Sequence, residues 1–122
     1  DYAELHEMLR AHVPPSHIKF LSSFEDLIVI GDYAFVHAGI RPDIPLAEQT
    51  ASTLRWIREE FLSHKGAHEK IIVHGHTPSN SIIHKNNRIC LDTGVFFSGK
   101  LSGVIIEAQD NNISFMSYSN AE

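Results

Sequence analysis

The stretch from Glu25 to Gly39, EDLIVIGDYAFVHAG, constrains the fold more than any other part of the chain. Its two apolar runs, Leu27 to Ile30 and Tyr33 to Val36, flank Gly31-Asp32, a pair suited to the positive φ angles of a tight hairpin turn. The spacing predicts strand, turn, strand, with His37 at the end of the second strand. A later run, IIVHGHTPS, closes in the same way, with apolar residues giving out into His74, Gly75 and His76.

Helical periodicity precedes and separates these runs. Leu5, Leu9 and Val13, with Met8 beside them, form one apolar stripe that Pro14 and Pro15 end. Ile18, Leu21 and Phe24 suggest a second short helix with Ser16 as its N-cap. The prolines of IRPDIPLAEQ mark a loop, and TLRWIREEFL, Thr53 to Leu62, is expected as one helix that stops near Gly66. Beyond it the expected strands are Ile71 to His74, Ser81 to His84, Arg88 to Asp92, Leu101 to Ala108 and Ile113 to Tyr118. Asn86-Asn87 and Asp110-Asn111-Asn112 supply turns. The whole reads as an α+β chain, β-rich toward its C-terminus, with one domain over residues 1–122.

Composition narrows the function classes. A chain of 122 residues with 43% apolar and 20% charged residues can bury a core. Its net charge of -5 is scattered, with no basic run, which argues against nucleic-acid and membrane partners. No apolar stretch approaches the roughly 18 residues that span a bilayer, and the N-terminus lacks the pattern of a signal peptide. Cys90 stands alone, so no internal disulfide is expected, and a reducing cytoplasm fits. The first residue is Asp1 rather than Met, and a piece of a longer protein is expected.

Of the 9 histidines, most fall on polar helix faces or loops where a solvated imidazole is the default. His37 and His76 differ because each follows an apolar strand and precedes a glycine- or proline-containing loop, where sheets present reactive side chains. His74 and His76, two apart, would share a face of an extended strand, which makes a two-histidine clamp conceivable. Cys90 as a nucleophile lacks a phosphate-cradling loop, with Phe96 where an arginine would be needed, and reads as a buried strand residue. Asp92-Thr93-Gly94 has the form of an aspartic-protease triplet, but too little chain follows it, and Asp92 reads as a turn or cap residue.

Taken in order and spacing, FVHAGIRPDIPL, LRWIREEFL, IIVHGHTPS and NRICLDTGVFFSGKLSGVII resemble the C-terminal half of the calcineurin-like metallophosphatases. The likeness runs from about Phe35 to Ile106 and is strongest to the bacterial and phage-type serine/threonine protein phosphatases, with the symmetrical dinucleoside tetraphosphatases beside them. It implies the C-terminal half of a four-layer αββα sandwich that holds two divalent metal ions, Mn, Fe or Zn. By the same likeness, His37 and His76 are ligands of one metal and Arg58 holds the substrate phosphate through its fork of donors. Arg41 could face the substrate or be a solvated loop charge. His74 lines the cleft, supports a ligand, or has a plain structural part.

The earlier family motifs GDxHG, GDxVDRG and GNHE are absent, and with them the remaining ligands and the general acid. The expectation is therefore the C-terminal part of a phosphatase acting on phosphorylated protein or nucleotide substrates and inactive by itself. The alternative is a non-catalytic module that pairs through its open edge. That open edge makes a homodimer, or pairing with the missing N-terminal half, the candidate partnership.

Overall fold

A computed structural model describes residues 1–107, 110 and 112–119. Two N-terminal helices, α1 (Tyr2–His12) and α2 (Pro15–Ser22), precede strands β1 (Leu27–Ile30) and β2 (Tyr33–Val36). A loop with one 3-10 turn at Leu46–Glu48 leads to short helices α3 (Ala51–Trp56) and α4 (Glu59–Leu62). Then come β3 (Ile71–His74), β4 (Ile83–His84), β5 (Arg88–Cys90), α5 (Val95–Ser98), β6 (Lys100–Ile106) and β7 (Ile113–Ser119).

The first five strands form one sheet in the order β1-β2-β3-β5-β4. The expected hairpin is present: β1 and β2 pair antiparallel with Ile30 opposite Tyr33, and Gly31 turns the chain at φ 57°. By contrast β2 pairs parallel with β3, and β3 parallel with β5, so the C-terminal ends of three adjacent strands share one edge. Strand β4 returns antiparallel to β5.

Alternation along these strands sorts the side chains between two faces. Ala34 and Ile72 meet Ile40, Leu46, Leu54 and Phe61 on the face covered by the loop and α3–α4. Tyr33, Val73 and Ile89 lie on the other face, against Val104, Ile106 and Ile113 of the β6–β7 hairpin. The result is an α+β arrangement with helices on one side of the mixed sheet and a second, two-stranded sheet on the other.

Several elements depart from the sequence reading. The second helix starts at Pro15, with Pro14 as N-cap and no side-chain cap, so Ser16 lies inside the first turn. Proline suits that first turn because its missing N–H would be unbonded there anyway. The single helix expected over 53–62 is two, because Ile57 adopts extended dihedrals (φ -60°, ψ 144°) and Arg58 leaves the helical region (φ -131°, ψ -99°). Helix α3 begins earlier, at Ala51, where Thr50 caps it through the Thr53 N–H. Helix α4 ends at Ser63 rather than at Gly66, whose carbonyl accepts a hydrogen bond from Asn87 Nδ2.

The strands expected over 81–84 and 88–92 are shorter, and a helical turn, α5, follows β5 where Asp92 Oδ1 accepts the Gly94 N–H. Asp92 is thus a turn residue, as its sequence context suggests. Ala108 and Asn111, assigned to a strand and a turn from sequence, lie outside the described residues.

Helices α1 and α2 contribute no buried residue. The stripe read from the sequence exists, yet Leu5, Met8 and Leu9 are all more than half exposed. Ile28, Val29 and Ile30 of the outer strand β1 are exposed as well.

One close packing joins the histidine loop to the core. Gly39 has φ 154°, and a Cβ there would clash with the ring of the fully buried Phe61, 2.7 Å from Cγ. Gly39→Ala is therefore expected to lower the unfolding free energy by about 2–4 kcal/mol, combining overpacking with backbone strain. Urea denaturation checks this, and an unchanged midpoint would mean that Phe61 does not press on Gly39.

Candidate metal and phosphate site

The shared edge of β2, β3 and β5 brings His37 and His76 together. His37 follows β2, and its Nε2 lies 3.1 Å from Nδ1 of His76, which follows β3. Their ring centroids are 4.8 Å apart. The loops are tied through backbone, the Gly75 N–H donating to the His37 carbonyl at 2.9 Å.

His76 carries the strain. Its φ of 66° makes it the one non-glycine residue with positive φ among those described. Left-handed backbone costs an L-residue roughly 1–2 kcal/mol, and such outliers collect where geometry serves function. The twist also turns His76 off the line of β3, so the same-face rule that would pair it with His74 does not apply.

His74 instead points into the core, 4% exposed, with its ring edge on Phe61 at 4.9 Å. Its Nε2 lies 3.2 Å from Nη1 of the equally buried Arg88. The sequence alone does not single out Arg88. A charged residue opening a strand is normally solvated, and only the register that sets it beside Ile72 shows that it faces inward.

Arg58 owes its position to the break between α3 and α4. Nη1 donates to the His76 carbonyl at 3.2 Å and to Thr77 Oγ1 at 2.9 Å. The side chain thus stands at the histidine pair without a carboxylate partner among the described residues. Arg55, one turn earlier, is held by Asp26 at 2.6 Å. Arg41 lies elsewhere, bonded to Glu60 at 2.9 Å.

Around His37 and His76 opens a cleft of about 900 Å³, walled by Phe24, Phe35 and Trp56 among others. Trp56 is 69% exposed and meets His76 edge-on at 5.8 Å, a neighbour missed from sequence because its helix reads as unbroken there. A shallower hollow on the same edge includes Asp92 with both histidines. The signal for Asp92 was available, since it follows β5 as His37 follows β2. Cys90 is buried, and burial raises its thiol pKa, which suits a structural cysteine.

Burial lowers the pKa of His76, with Arg58 and then His37 acting in the same direction. A neutral imidazole is the form that binds metal. The spacing fits too. With metal–nitrogen distances of about 2.0–2.1 Å, adjacent nitrogens of one coordination sphere stand roughly 2.9–3.4 Å apart, and the pair is 3.1 Å apart. His76 Nε2 is enclosed without a hydrogen bond, while Nδ1 faces His37 Nε2. The described residues contain no group of three His, Cys, Asp or Glu side chains placed to hold a metal.

Comparison with known proteins supports the architecture. No protein-family model and no curated protein matches the sequence. A crystal structure described as "putative diadenosine tetraphosphatase" superposes with a TM-score of 0.69 over 97% of this chain, at 19% sequence identity. The chain spans 64% of that structure's length. The fold is therefore shared with that structure.

Two outcomes test the site geometry. His76→Asn, which tolerates left-handed backbone, is expected to leave stability within about 0.5 kcal/mol, whereas β-branched His76→Val costs about 1–2 kcal/mol; equal stabilities would remove the strain.

The second concerns His74, whose pKa is lowered to about 4, chiefly by burial. The unfolded chain then binds more protons between pH 4 and about 6.5, so this contribution is complete above about 6.5 and lost as pH falls toward 4. It is on the order of 3 kcal/mol. Denaturation against pH should show a smaller loss over that window in His74→Gln than in the wild type, and identical profiles would place the proton-linked loss elsewhere.

Proposed function

We propose that this chain is the C-terminal portion of a metal-dependent phosphoesterase, in which His37 Nε2 and His76 Nδ1 bind one of two divalent cations and Arg58 binds the substrate phosphate. The observation that carries the reading is the 3.1 Å approach of two imidazoles from separate strands, one of them on strained backbone. The chemistry supplied by such a cation pair is Lewis acidity, which activates water and withdraws charge from phosphoryl oxygens. Mn, Fe and Zn all accept imidazole nitrogen.

The chain's own residues have separate parts. His37 and His76 hold neutral nitrogens at fixed spacing. Arg58, braced on the His76 carbonyl and Thr77, keeps further guanidinium donors for non-bridging phosphate oxygens. Trp56 and Phe35 give the cleft an apolar wall. The other ligands come from outside this chain, and the apolar surfaces of α1, α2 and β1 suit docking of that remainder or of a second copy.

Phosphate monoesters on serine or threonine are the first substrate class, on the motif resemblance. Dinucleoside tetraphosphates are the second, supported by the likeness to the structure described above.

The reading makes a split prediction. Isothermal titration with Zn²⁺ should show binding by the chain that His37→Ala and His76→Ala each abolish and Arg58→Ala preserves. Hydrolysis of an aryl phosphate with added Mn²⁺ should stay at background. Metal-dependent turnover by these 122 residues, or zinc binding indifferent to both histidines, would contradict it.

A further inference from the structure

Arg88 is 4% exposed, its Nε has no hydrogen-bond partner, and no carboxylate pairs with it among the described residues. Burying a guanidinium this way is costly, and for packing alone Met or Leu would serve better at the position. What Arg88 does reach is His74, with Nη1 3.2 Å from Nε2, while its guanidinium carbon stands 6.0 Å from the centre of the Phe61 ring.

Arginine can only donate, so His74 Nε2 must accept. The imidazole proton then sits on Nδ1, which lies 3.1 Å from the Gly75 carbonyl and donates to it. The Ala38 carbonyl also faces this ring. Gly75 and Ala38 are the immediate neighbours of His76 and His37, and the Gly75 N–H bonds the His37 carbonyl at 2.9 Å. A route of directional contacts thus runs from Arg88 through one histidine tautomer to the backbone of both histidine-bearing loops.

We infer that Arg88 and His74 are a positioning pair: by fixing the Nδ1–H tautomer of His74, Arg88 locks the Gly75–His76 turn against the His37–Ala38 loop and sets the spacing of the His37 and His76 rings. Neither residue touches substrate or metal. The inference rests on the reading of His37 and His76 as ligands only for its effect on affinity. The effect on ring geometry stands without it.

Imidazole ¹⁵N–¹H correlation spectra of the metal-free chain near pH 7.5 test the pair directly. The wild type should show His74 as the Nδ1–H tautomer. Arg88→Met should mix the His74 tautomers and shift the ring resonances of His37 and His76. His74→Leu should shift the same two rings, whereas His74→Gln, whose carbonyl stands in for Nε2 as the acceptor facing Arg88, should restore them.

Zinc affinity should follow, weakened about 10–100-fold in Arg88→Met and His74→Leu and within about threefold of wild type in His74→Gln. An Nε2–H tautomer in the wild type overturns the inference. So does an Arg88→Met variant in which His74 alone responds, or a His74→Gln variant that shifts the His37 and His76 rings as far as His74→Leu does. If a variant fails to fold, the wild-type tautomer and the remaining variants decide. If the wild type binds no zinc, the ligand reading falls while the ring resonances still judge the positioning pair.

Discussion

Parallel pairing of β2 with β3 and of β3 with β5 is the constraint on which the site depends. Antiparallel neighbours would send the chain ends after successive strands to opposite edges. Here the residues after three adjacent strands emerge together, and their separation is set by ladder hydrogen bonds rather than by loops. Parallel pairing requires crossover connections, and the loop with α3 and α4 is the one between β2 and β3. That crossover also delivers Arg58, so one topological choice places both imidazoles and the guanidinium.

Two local departures from regular structure complete what the sheet begins. The extended Ile57 breaks a helix and frees Arg58 from its spiral, while left-handed His76 ends a strand and swings its ring toward His37. Each departure is held from behind. Phe61 sits against Gly39 and His74, and Arg88 fixes His74. The core face of the sheet and the chemical edge are therefore mechanically continuous.

The hairpin at Gly31-Asp32 and the core strands were legible because short-range rules govern them, through turn chemistry and a period of two. The placement of His37 and His76 at strand ends was legible for the same reason. The helix break at Ile57 was not, since Leu54, Ile57 and Phe61 keep helical spacing across it and all three pack into one core cluster. The His74–His76 clamp also failed. Its premise was a strand continuing past His74, and positive φ at a non-glycine residue leaves no mark in sequence. Arg88 escaped because inward or outward facing depends on register, which periodicity alone does not fix. The apolar stripe of α1 is legible from its spacing, yet the helix buries no residue.

In the proposed function His37 and His76 act together on one cation. Zinc K-edge X-ray absorption of the loaded chain tests it most directly. Two imidazole nitrogens are expected in the first shell at about 2.0–2.1 Å, with oxygen filling the remaining positions. A first shell of oxygen alone, or of a single imidazole, would contradict it.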